Sequence, residues 1–318
     1  MSATNIKSYY AAGFAAFIIW GFIPFPLKAL ADYPSGQILY YRIALSVVLL
    51  LVISLLFRRQ ELQATLRQVQ KAGQHEKRVF VGYTVLGTAL LTANWLGFIY
   101  VVNRISIQTG SFAYMLCPIL TAMLGFLLLR EKLRKNQWIA IGLCVISCIL
   151  IGTGELRSLL FSLGIALSYA FYLITQRILK SYDKLVLLTI QLVLSFAFIA
   201  PFYSYFNSNA TAPLGVYFFG WVALLSAVFT VLPLFLNLFA LKELTSGTVG
   251  IMMYINPVFN FMVAFVYFNE HTTPAKVTAY IIIFVSVVIY NLNLKGRRKD
   301  GDGLVMPAVG TTTVADKT

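Results

Sequence analysis

The sequence predicts an all-α integral membrane protein of about ten transmembrane helices, built as two inverted five-helix repeats. Three observations predict it. The 318 residues are 59% hydrophobic and only 11% charged, against about 25% charged in a soluble domain. The apolar residues fall in long runs, and a run of about eighteen or more with few charges crosses a bilayer as a helix. The second half of the chain also repeats the first.

The runs place spans at 9–29, 36–57, 79–102, 106–129, 137–153, 158–177, 184–206, 215–240, 245–268 and 274–294. The flank of the first run lacks a small-residue cleavage site, so it reads as a retained helix. Most connectors are short, which sets neighbouring helices antiparallel. The long connector 58–78 puts Leu62, Leu66 and Val69 on one helical face among basic and amide residues. It reads either as an amphipathic helix on the membrane surface or as a solvated linker. Residues 296–318 are polar and rich in Gly and Thr, the composition of a disordered tail.

A net charge of +14 raises the question of a nucleic-acid partner. The basic residues argue against one, because they sit in the connectors. With the N-terminus in the cytoplasm, twenty of the 25 Lys and Arg fall on cytoplasmic segments and four on outer ones. Arg42 alone lies within a span. That bias places both termini in the cytoplasm and requires an even number of spans.

The repeat is legible without gaps. Residues 106–152 overlay 245–291, so that Pro118 meets Pro257 and Glu131 meets Glu270. Thr109 meets Thr248, Met123 meets Met262, and Ser147 meets Ser286 at the same offset. The start of each half matches too: Trp20 lies over Tyr169, Lys28 over Arg177, and Arg42 over Gln191. The halves are 8–153 and 157–295. Five spans each force the second half into the membrane upside down. Inverted repeats supply two equivalent gates, which suits alternating access in secondary transporters.

A Trp-Gly turn in the first span with a lysine after it, a Tyr-Arg in the second, and a proline-centred fourth span ending in Arg-Glu-Lys form a duplicated frame. This pattern resembles the EamA-type permeases of the drug/metabolite transporter superfamily. WGFIPFPLKAL from Trp20, YYRIALS from Tyr40 and NWLGFIYVVN from Asn94 are most similar to the RarD-type (chloramphenicol-sensitive protein) branch. The resemblance covers residues 8–295 and implies a bacterial plasma-membrane permease with a central solute cavity. It implies alternating-access transport, in the export direction, of a small metabolite or drug-like solute. The expected partners are that solute and the lipid bilayer, with a homodimer left open. No cofactor, metal or nucleic acid is expected. The alternative reading is a non-transporting membrane sensor or assembly factor.

Arg42 is the sharpest candidate for solute contact. It lies about six residues into its span, roughly 9 Å deep at helical rise. A charge there faces the bundle interior or a wet cavity, where it would hold a carboxylate or phosphate. The bland alternative is an arginine that snorkels to the outer headgroups or pairs with a carbonyl. Trp20, Tyr41, Asn94, Trp95 and Tyr114 add an aromatic and amide lining on the first four spans. Tyr254, Asn256 and Asn260 add to it on the ninth. A buried amide must be hydrogen-bonded, so these residues either line the cavity or tie helices together. Pro24, Pro26, Pro118 and Pro257 interrupt spans, which makes them candidate hinges or gates, or plain kinks.

All eleven acidic residues and both histidines lie in connectors, at span ends or in the tail. A proton relay through a buried carboxylate therefore has no carrier, and facilitated diffusion or exchange is expected. An intramembrane enzyme is disfavoured, since no H-E-x-x-H or G-x-S-x-G occurs. Cys117, Cys144 and Cys148 sit in apolar spans without nearby ligands and read as small hydrophobes.

Overall fold

The computed structural model describes residues 3–130, 133–152, 154–207, 213–240, 243–244 and 252–291. Glu131, the whole 245–251 segment with Thr248, and the expected tail lie outside the described residues. All regular structure within them is helical. A chain with this much apolar surface has to satisfy its backbone internally, and the helix does so within one segment.

Eight described helices are long and apolar enough to cross a membrane. The first span is divided into α1 (Ala3–Gly21) and α2 (Pro24–Ala29). α3 (Ser35–Phe57) starts directly after Pro34. α4 (Arg59–Lys71) resolves the 58–78 connector as a short helix, with Leu66 exposed and Val69 packed on Phe80. α5 (Gln74–Arg104), α6 (Ile107–Leu129), α7 (Lys135–Gly152), α8 (Leu156–Ile178) and α9 (Lys184–Ile199) follow. α9 runs through a 3-10 turn into α10 (Tyr203–Asn207). α11 (Val216–Ser226) passes through a π-helical turn, Ala227–Val231, into α12 (Leu232–Ala240). α13 (Ile255–Val266) and α14 (Pro274–Asn291) are shorter apolar helices.

Local sequence sets the ends. The Ser106 hydroxyl accepts from Thr109 N and starts α6, and the Asp183 carboxylate accepts from Leu185 N and Val186 N to start α9. Arg130 stops α6 in the left-handed conformation, at φ 55°.

Packing crosses the chain's midpoint. α1 packs on α12 and α13, while α8 packs on α5 and α6. α3 packs on α9 and α11, α5 on α9, α6 on α13, and α7 on α14. Apolar side chains from both halves, among them Leu27, Ile38, Ile43, Leu188 and Phe218, meet in one central cluster. Many large apolar residues point outward instead, such as Leu56 at 71% and Val266 at 71% exposed. That outward face is what a lipid solvent rewards.

Candidate functional site

Arg42 lies two turns into α3, and only 4% of it is exposed. Its Nε donates to the Thr230 hydroxyl at 3.1 Å. Its guanidinium carbon sits 4.2 Å from the centroid of the Trp95 ring, a cation–π contact. The Ser226 hydroxyl donates to the Arg42 carbonyl at 3.2 Å. No carboxylate pairs with Arg42 among the described residues. The snorkelling alternative does not fit, because the side chain turns into the bundle.

Asn94 is fully buried on α5. Its amide donates to the Ile165 carbonyl at 2.9 Å and to Ser168 at 3.3 Å. Its oxygen accepts from the Tyr114 hydroxyl at 3.0 Å. Asn94 thus ties α5 to α8 and α6, and it also fixes Tyr114, which lies within electrostatic range of Arg42. Of the predicted lining, Trp95 therefore meets Arg42 directly, while Tyr114 is held by Asn94. Trp20 comes to the same region through the π-helical turn: its Nε1 donates to the Phe229 carbonyl at 3.1 Å, one residue from Thr230.

The other predicted residues go elsewhere. Tyr41, one residue from Arg42, points about 100° away on the helix. Its hydroxyl bonds that of Tyr203 at 3.0 Å, and its ring packs edge-on against Phe218 and Phe219. Asn260 donates to Asn256 at 2.8 Å, so the two amides are partly spent on each other. Asn260 Oδ1 stays buried without a partner among the described residues. Tyr254 is half-buried just before α13.

The prolines differ in effect. Pro24 and Pro26 head α2, after the break at Phe22–Ile23. Pro118 sits inside α6, which continues through it. Pro257 falls in the first turn of α13, where its missing N–H costs nothing.

Sequence reasoning missed Thr230, Ser226 and Pro233. Thr230 and Ser226 are four apart in an apolar span, a weak signal. Pro233 has no N–H for the Phe229 carbonyl four residues back, and Trp20 supplies the donor instead.

Charged pairs lie at both ends of the bundle. At one end the Glu270 carboxylate accepts from Ile107 N at 2.8 Å and Gln108 N at 3.1 Å, capping α6. Lys28 stands 4.0 Å from it. Nearby, Lys276 pairs with Glu155 at 2.6 Å. Burial opposes ionisation of Glu155, but the hydrogen bonds from Lys276 and Ser158 outweigh it and hold the carboxyl below its usual value. At the other end Arg58 pairs with Asp183 at 2.7 Å.

A groove of 490 Å³ lies between α6, α7 and α8, lined by residues such as Leu116, Met123, Cys144, Cys148 and Leu163. None of the predicted site residues lines it. It offers a polar solute no charged or hydroxyl partner.

The EamA-like transporter family matches residues 7–153 and again 156–292. The chain belongs to the EamA-like transporter family. Protein RarD of Salmonella typhi is 26% identical, over 91% of this chain and 96% of that one. An uncharacterized transporter of Vibrio cholerae is 30% identical, over 88% of this chain and 90% of its own length. A crystal structure at 15% identity has a TM-score of 0.59, covering 89% of this chain and 97% of that chain, and shares the fold. This EamA-like protein is accordingly a multi-pass inner-membrane transporter of the drug/metabolite superfamily. The resemblance drawn from the duplicated frame is borne out, as is the all-α membrane class.

Proposed function

We propose that this EamA-like protein carries a small anionic or zwitterionic solute across the plasma membrane by alternating access, in the export direction. Arg42 holds the solute's carboxylate or phosphate. The observation that carries the reading is a guanidinium buried among transmembrane helices with no carboxylate paired to it among the described residues. A charge at that depth is costly, and a solute anion completes it. Trp95 borders it with ring surface, and Asn94 holds the Tyr114 hydroxyl in place nearby.

Alternating access by two inverted repeats, 8–153 and 157–295, draws support from the packing. Exchanging the halves maps α1 on α12 and α13 to α8 on α5 and α6, and α3 on α11 to α9 on α5. The α3–α9, α6–α13 and α7–α14 contacts map onto themselves. The family's two successive matches fit the same division. In this arrangement both termini face the cytoplasm, Lys28, Glu270 and Glu155 lie at the outer end, and Arg58 and Asp183 lie at the inner one.

The test is counterflow in proteoliposomes with amino acids, organic acids and phosphorylated metabolites, run beside Arg42→Gln. Saturable counterflow of an anionic or zwitterionic solute, lost in the variant, supports the reading. Equal flux in the variant removes Arg42 from the site. Absence of counterflow across all three classes counts against a carrier of such solutes.

A further inference from the structure

We propose that Thr230 is a positioning residue: it sets the Arg42 guanidinium so that its outer edge faces the solute. The inference rests on the reading of Arg42 as the solute-binding cation. Thr230 lies in the π-helical turn Ala227–Val231, and such turns concentrate at functional sites. Its hydroxyl has one proton and two lone pairs. The proton goes to the Leu225 carbonyl, five residues back, at 2.9 Å. In an α-helix a threonine hydroxyl reaches back three or four residues, so this bond belongs to the widened turn. With its proton spent, the hydroxyl can only accept, and its lone pair meets Arg42 Nε at 3.1 Å.

Ser226, the last residue of α11 just before that turn, holds residue 42 a second way, through its hydroxyl on the Arg42 carbonyl. Trp95 covers one face of the guanidinium at 4.2 Å. Plane, face and one edge are then fixed by α5 and the π-helical turn. What remains is the edge bearing the two terminal nitrogens, the fork that matches a carboxylate or phosphate bidentately. Fixing the fork in advance removes the rotamer entropy that binding would otherwise cost. Gln191, the repeat partner of Arg42, has no such arrangement: its oxygen accepts from Gln176 and its buried amide nitrogen is unpartnered among the described residues. The anion site therefore belongs to one half only.

The experiment uses the full chain in lipid nanodiscs. Tryptophan fluorescence is titrated with sodium benzoate and, separately, with inorganic phosphate. Trp95→Phe identifies the Trp95 signal. Arg42→Gln is expected to abolish the response. Thr230→Val, which keeps the shape and removes the hydroxyl, is expected to raise the half-saturating benzoate concentration about tenfold, the size of one hydrogen bond to a charged group. Thr230→Ser, which keeps the hydroxyl, is expected to stay within about twofold of wild type. A merely structural threonine would lower thermal stability in Val and Ser alike without this split in affinity. If Thr230→Val does not fold, Thr230→Ala is read in its place. Wild-type affinity in the hydroxyl-free variant, with the response lost in Arg42→Gln, overturns the positioning role and leaves Arg42 in place. A response to neither anion, or one unchanged in Arg42→Gln, overturns the Arg42 reading and this inference with it.

Discussion

The indole Nε1 of Trp20 donates to the carbonyl of Phe229 at 3.1 Å, across 209 residues of chain. The bond exists because Pro233 leaves that carbonyl without its helical donor. Trp20→Phe keeps the ring and strands the carbonyl, which costs about 1–3 kcal/mol when buried. A lowered thermal midpoint in detergent is the expected result. Pro233→Ala restores a backbone N–H at the right position. The double variant Trp20→Phe/Pro233→Ala should therefore melt above Trp20→Phe alone. Strict additivity of the two changes would show that the proline and the indole do not share this carbonyl.

Arg42 separates charge from geometry. Arg42→Lys keeps a cation but loses the planar face on Trp95 and the Nε bond to Thr230. Counterflow should survive in Arg42→Lys with half-saturation raised about tenfold, one hydrogen bond to a charged group in size. In Arg42→Gln it should be lost. A lysine variant as poor as the glutamine one would mean that the fork, and not the charge, is what the solute needs.

Legibility followed the range of the interactions. The helical spans needed only local composition, and all eight long ones lie within a few residues of their predicted bounds. Arg42 and Asn94 stood out because a polar group inside an apolar run is anomalous wherever it points. Tyr41 did not join Arg42, because adjacent helical residues diverge by about 100°, and α10 and α11 claimed its ring. Thr230 was invisible for the opposite reason. A threonine in an apolar span is ordinary, and its meaning comes from a partner 188 residues away. The Glu270 carboxylate was read as a span-ending charge, yet it caps a helix of the other half. No local pattern encodes that contact.

Glu155 gives the protein a pH dependence at one end. Lys276 and Ser158, acting against burial, hold its folded carboxyl below the unfolded value. A depressed carboxyl stabilises the fold above its unfolded pKa, about 4. That contribution is lost as pH falls through the lower folded value. The thermal midpoint should decline in this acidic window for wild type and decline less for Glu155→Gln. Identical slopes from neutral pH down to about pH 3 would remove Glu155 from the account.

Gly21 ends α1 against α13, and a Cβ there would stand 2.4 Å from Phe259 Cβ. That atom is anchored to the backbone, so no rotamer change relieves the clash, and α13 itself must shift. Small residues at such crossings let helices approach closely in a membrane. Overpacking of this kind costs about 1–3 kcal/mol, so Gly21→Ala should lower the thermal midpoint. Gly142, within α7, is the control, because a Cβ there meets nothing within 4 Å. Gly142→Ala should be neutral or raise the midpoint slightly, since alanine is the better helix former by about 1 kcal/mol. The comparison also bears on transport. α13 packs on both α1 and α6, so a bundle that separates α1 from α13 during the cycle would bring Gly21→Ala an altered counterflow rate as well as reduced stability. A variant that melts early yet turns over at the wild-type rate would mean that the α1–α13 contact stays closed throughout the cycle.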